Sequence, residues 1–119
     1  MTVTEMFAVG LGGFVGALIR FFIATRMNRE AQIPFGTLVV NLTGSLLIGL
    51  ILGLELPKFW TIFLASGFVG ALTTFSTFIK ELLLLWSAGQ RKEFYFYIVS
   101  TLVFGVVFAY TGFVIGQML

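Results

Sequence analysis

Residues 70–81 read GALTTFSTFIKE. Four hydroxyl side chains, Thr73, Thr74, Ser76 and Thr77, fall within five residues there, interleaved with Phe75 and Phe78. The 119-residue chain around them is 59% hydrophobic and 10% charged, with fifteen Phe, fourteen Gly and two Pro. That composition lies outside the range of soluble domains. A polar cluster in the middle of an apolar run therefore needs a physical reason.

The few charges act as punctuation. Glu30 and Glu55 are separated by 24 uncharged residues, Lys58 and Lys80 by 21, and 26 uncharged residues follow Glu93. Each run can cross a hydrocarbon core about 30 Å thick, which takes about 20 helical residues. The first run, residues 6–19, is shorter, and extending it to Thr25 takes Arg20 into the span. A bilayer offers no water to backbone groups, so these runs must be helices. The reading is an all-α membrane protein with one domain over residues 1–119. Its four transmembrane helices fall at about 4–26, 33–54, 57–88 and 93–117. The connections MNREAQIP (27–34), ELPK (55–58) and GQRKE (89–93) are too short for a soluble module. Function must lie among the helices. No Lys or Arg precedes Glu5, which argues against a cleavable signal, since that needs a basic start.

Cysteine and histidine are absent. Disulfides, thiol catalysis, haem, ordinary zinc sites and a histidine proton relay are thereby excluded. No nucleophile–base pair or phosphate-binding loop stands out, so an enzyme is not expected. The excess of two positive charges is no sign of a nucleic-acid partner.

The third span is overlong: Phe59 to Ala88 is 30 residues, about 45 Å if straight. Ser and Thr bond back to carbonyls of the preceding turn and bend helices, and Gly67 and Gly70 weaken this one further. One reading is a break near 70–77 between two half-helices, which lipid tolerates only where the freed backbone lines a cavity or binds an ion. The other is a continuous tilted helix whose hydroxyls are satisfied internally.

Small residues recur every fourth position at Gly12 and Gly16, at Ser45, Gly49 and Gly53, at Gly105 and Ala109, and at Gly112 and Gly116. This spacing permits close helix packing in lipid, within or between subunits. Four helices leave little room for a pore inside one bundle, so an oligomer is expected. Arg26, Arg29, Arg91 and Lys92 lie on one side and only Lys58 on the other. The positive-inside rule then puts both termini outside.

Several side chains could carry chemistry. Arg20 either snorkels to the interface or offers a cation to an entering anion. Asn41 lies too deep in its span to reach water, so it bonds across to another helix or lines a polar path. Lys80 and Glu81, adjacent on a helix, point apart. Phe75 and Phe78 share one helical face, and a phenyl ring has a positive edge that can meet a small anion without a full charge.

Three stretches, GGFVGALIR (12–20), PFGTLVVNLTGSLLIG (34–49) and GFVGALTTFSTF (67–78), together resemble the Fluc fluoride channels, also called CrcB. The resemblance extends over essentially the whole chain. It implies an antiparallel, dual-topology dimer in the cell membrane that exports fluoride passively through two pores at the subunit interface. It also implies a central sodium ion held by backbone carbonyls of Gly70 and Thr73. Phe75 and Phe78 match the family's pore-lining phenylalanines, Asn41 its pore asparagine, Arg20 its first-helix arginine and Glu81 the acid that follows. Thr74, Ser76 and Thr77 match hydroxyls near the pore. Tyr97 and Thr101 fit the start of a polar track on the fourth helix, whose next two steps are occupied here by Gly105 and Ala109. The implied partners are fluoride, membrane lipid and a second subunit. Unbalanced loop charges keep a heterodimer with a related, oppositely inserted subunit beside the homodimer.

Two other functions are weighed. A proton-coupled multidrug exporter is also small, four-helical and antiparallel, but needs a membrane-embedded carboxylate in the first helix. Glu5, the sole acid of that span, stands at its entrance. A non-transporting accessory subunit would be indifferent to loss of Phe75 and Phe78.

Overall fold

The computed structural model describes residues 2–27, 34–73 and 75–119, apart from the side chains of Met27 and Ser76. The described residues are all-helical, with four helices long and apolar enough to cross a membrane. Helix α1 is Val3–Met27 and α2 is Phe35–Leu54. The third span has two parts, α3 over residues 58–72 and α4 at Phe75–Ser87. Helix α5 is Arg91–Met118. The longest dimension of the Cα trace is 47 Å, close to the full thickness of a bilayer with its headgroups.

The termini of these helices follow from local chemistry. Thr2 and Glu5 form a reciprocal capping box at the start of α1, each backbone amide donating to the other's side chain at 3.1 Å. Helix α2 starts at Phe35 rather than 33, directly after Pro34, whose ring has no amide to donate. It stops at Glu55, which adopts the left-handed conformation. Helix α4 ends at Gly89, which takes φ +76°. Its amide donates to the Trp86 carbonyl and that of Gln90 to the Leu85 carbonyl, the pair of bonds that closes a helix C-terminus. The next helix begins at Arg91, two residues before the expected 93, so Arg91 and Lys92 lie in its first turn. The segment 28–33, with Arg29, lies outside the described residues.

The third span is broken, within the expected interval. Thr73 leaves the helix with ψ 159°, an extended conformation, and the helix resumes at Phe75. Thr74 itself lies outside the described residues. Ahead of the break, Ile62–Val69 is wound as a π-helix, a wider winding that the composition does not mark and that occurs mostly at functional sites.

The recurring small residues are used within the chain. Helix α1 crosses α3 so closely that a methyl group on Gly12 or Gly16 would collide with the backbone of Phe63 or Phe68. Helix α2 meets α5 in the same way: Gly49 and Gly53 lie against the carbonyls of Ala109 and Phe113, and Gly112 and Gly116 against those of Leu46 and Leu50. Gln117 closes the end of this pair, donating to the Gly53 carbonyl at 2.8 Å. Lipid tails are as apolar as the helices, so close backbone approach and dispersion drive the association. The outer faces of α1 and α5 remain exposed and apolar, with Phe7, Phe14, Phe21, Val106 and Tyr110 among them.

Gly16→Ala and Gly49→Ala force a side chain into backbone and are expected to destabilise the fold by about 1–3 kcal/mol each. Gly10 has nothing within 4 Å of the equivalent position, so Gly10→Ala should leave stability unchanged or raised. Thermal unfolding of the purified proteins in one detergent compares the three.

Candidate functional site

The break brings several polar side chains, Asn41, Ser45, Thr73 and Thr101, around one groove. The Val69 carbonyl accepts both the Thr73 amide at 3.0 Å and the Thr73 hydroxyl at 3.1 Å. The first is the last regular bond of this half-helix and the second a back-bond of the hydroxyl to the same acceptor, so the carbonyls that end the half-helix are those after Val69. The Thr73 methyl then packs onto Gly44 of α2, where any larger residue would collide with it.

The groove has a volume of about 410 Å³ and lies between α2, the break and α5. Asn41, Gly44, Ser45 and Ile48 line it from α2, and Gly70 and Thr73 from the break. Phe75 and Phe78 close it on the α4 side, and Thr101 and Leu102 on the α5 side. Its wall is mostly apolar, with a few polar groups converging on it, the usual make-up of a small-ligand site. Ser45 donates to the Asn41 carbonyl at 2.9 Å. The Thr101 hydroxyl is buried and has no hydrogen-bond partner among the described residues. A buried donor left without a partner is costly, so this hydroxyl suits a site that receives an acceptor.

The two phenylalanines differ in setting. Their ring centroids are 6.5 Å apart, but Phe75 is 76% exposed and Phe78 only 6%. Phe78 is seated against the Tyr97 ring in a T-shaped contact with centroids 5.0 Å apart. Behind it, Glu81 accepts hydrogen bonds from Thr37 and Tyr97, each at 3.0 Å. Thr37 and Tyr97 are almost fully buried. Three helices, α2, α4 and α5, are thus tied together at one carboxylate. Leu38, Leu82 and Leu85 complete the apolar core around it.

Of the residues singled out from the sequence, Asn41, Phe75, Phe78, Thr101, Gly70 and Thr73 line this one groove. Glu81 and Tyr97 stand immediately behind it. Thr77 is exposed on α4. Arg20, half-exposed on α1, is not among the lining residues. Thr74 and the Ser76 side chain lie outside the described residues. Sequence reasoning missed Thr37, Gly44 and Ser45. Their spacing from Asn41 (four before, three and four after) puts all of them on the Asn41 face of α2, which is the signal that could have found them.

Gly70 and Thr73 present neutral backbone oxygens at a helix break, a donor set that suits a hard cation of low charge. Among the described residues no cluster of His, Cys, Asp or Glu offers an alternative metal site. Glu5 is already engaged by its cap and by Lys58, whose ammonium lies 3.5 Å away.

A polytopic helical membrane protein with a broken span and a groove built on the break is the class that this geometry defines. The family model described as "CrcB-like protein, Camphor Resistance (CrcB)" matches residues 7–113. The chain belongs to the CrcB family. It is 37% identical over 114 residues to "Fluoride-specific ion channel FluC 2" of Bacillus cereus, a match covering 94% of this chain and 97% of that protein. To "Fluoride-specific ion channel FluC" of Ruminiclostridium cellulolyticum it is 40% identical, with 94% and 88% covered. To "Fluoride-specific ion channel FluC 1" of Lactiplantibacillus plantarum it is 45% identical, with 87% and 90% covered. Family membership and four apolar helices make it a multi-pass integral protein of the cell membrane.

Removing the Tyr97 hydroxyl leaves a partly buried carboxylate one donor short. Tyr97→Phe and Thr37→Val should each destabilise the fold by roughly 1–3 kcal/mol. Because both act on Glu81, the double variant should depart from additivity by about 0.5 kcal/mol or more. Thermal melts of the three variants and the parent measure the coupling.

Proposed function

We propose that this chain is a fluoride-selective channel, conducting passively and exporting fluoride, and not an enzyme. The observation that carries the reading is the convergence of Asn41, Thr101, Phe75 and Phe78 on one groove at the helix break. The fluoride-specific names of relatives 37–45% identical support it. Fluoride is small and holds its water tightly, so a path for it must replace that shell with donors. The Asn41 amide and the Thr101 hydroxyl are such donors, and the edges of Phe75 and Phe78 add positive potential without a counter-charge that would trap the ion. Phe75, Phe78, Asn41 and Thr101 line the permeation path, Tyr97 and Glu81 hold Phe78 in place, and Arg20 attracts the anion toward one mouth. Thr77, exposed on α4, offers a further hydroxyl to the same path.

The working unit is a dual-topology dimer of two oppositely inserted copies with two pores. The exposure of Phe75 and the open groove beside it support a second copy covering this face. Gly70 and Thr73 hold a sodium ion by their carbonyls, and its charge raises the local positive potential and so lowers the cost of bringing an anion into the low-dielectric interior.

The purified chain reconstituted alone in liposomes should release fluoride rapidly and chloride not at all, as followed by ion-selective electrodes. Phe75→Ile and Phe78→Ile should both abolish fluoride release, with elution as in the parent. Melting should stay unchanged for the variant at the exposed Phe75 and fall for the one at the buried Phe78, which still folds. If both variants conduct at the parent's rate, the assignment of the path is wrong. Release by the chain alone supports the homodimer, whereas release only after addition of an oppositely inserted paralogue supports a heterodimer.

A further inference from the structure

Ser45, which lines the groove from α2, lies opposite Gly105 of α5. Thr101 and Gly105 lie one turn apart on α5. Gly49, Gly53, Gly112 and Gly116, at the other close contacts of α2 with α5, are required by packing, since a methyl group there would meet backbone. Gly105 is different. A methyl group at Gly105 would meet only the Ser45 hydroxyl, at 3.6 Å, an ordinary contact. Packing does not demand glycine at this position. What the bare position does is leave the Ser45 hydroxyl uncovered toward the groove that Ser45 lines.

The chemistry of that hydroxyl suits an exchangeable donor. Its hydrogen rests on the Asn41 carbonyl at 2.9 Å, an acceptor that the helical amide of Ser45 also serves in regular α-helix geometry. Rotation of the hydroxyl toward an anion therefore leaves no carbonyl without a partner. Asn41, Ser45 and the unpartnered Thr101 hydroxyl then form a continuous set of donors drawn from two helices.

We propose that Ser45 is an anion-coordinating residue of the permeation path, taking over from α5 at Gly105. The inference rests on the fluoride-channel reading above and names one more group that the ion touches. Loss of one hydrogen bond to an ion corresponds to roughly a ten- to hundredfold change in a rate or affinity. Ser45→Ala should slow fluoride efflux from liposomes by about that factor, with elution and melting unchanged. Gly105→Ala, which shields the hydroxyl with a methyl, should also slow it, whereas Gly105→Ser, of nearly the same bulk, should conduct close to the parent's rate. The double variant Ser45→Ala/Gly105→Ser should recover most of the lost flux. Equal rates for Gly105→Ala and Gly105→Ser, or a parental rate for Ser45→Ala, overturn the proposal; the Gly105 pair decides the matter if Ser45→Ala does not fold. A parent chain that releases no fluoride sinks the channel reading itself and this inference with it.

Discussion

Hydrocarbon cannot hydrogen-bond a peptide group, so a spanning helix that stops halfway must satisfy its own loose ends. In this chain the stop is at Thr73, whose amide makes the last regular helical bond to Val69 and whose hydroxyl bonds back to the same carbonyl, so the carbonyls after Val69 need protein or a cavity around them. Several polar side chains are arranged around that stop. Gly44 gives the Thr73 methyl its seat, and Asn41 and Ser45 follow on the same face of α2. The π-wound turns before the break change the angular phase of the span, so α3 presents Gly67 to α1 while still ending over the groove. Break and groove are one construction.

Two kinds of contact hold this construction in register. Backbone-to-backbone crossings at glycines join α1 to α3 and α2 to α5, with dispersion and close approach as their currency. The second kind is polar and localised: Glu81 receives Thr37 and Tyr97 from two other helices, fixing α4 where no glycine seam reaches it. Phe78 is held by that arrangement, while Phe75, three residues earlier, is left outward. A rigid ring and an uncovered ring side by side are what the start of a helix beside an open groove provides.

The spans were legible in the residues because charge is so scarce that most Lys, Arg and Glu mark an edge, whereas hydroxyls next to glycines raised the break only as one of two readings, beside a continuous tilted helix. The groove was legible in part. Asn41, Phe75 and Phe78 stood out as depth-inappropriate or clustered, whereas Thr37 and Ser45 looked like ordinary small polar residues in an apolar run. Their role depends on which helix crosses α2 and at what height. Four-residue spacing says that something approaches closely but not what, so the pairing of Gly49 with Ala109 could not be read from either segment. The π-helix had no compositional mark at all. It coincides with the close crossing by α1 at Gly12 and Gly67, which the sequence does not show.

The pairing order of the helices has a consequence for how the protein is made. Spans that follow one another in the chain are not the ones joined by glycine seams: the first is sealed by the third, and the second by the last. No pair of consecutive spans is therefore closed by a glycine seam when it leaves the insertion machinery. The second helix must wait in the membrane, its glycine face bare, while two more segments are synthesised. Final assembly is consequently post-insertional, with residues as late as Gly116 and Gln117 completing a surface laid down by Gly53.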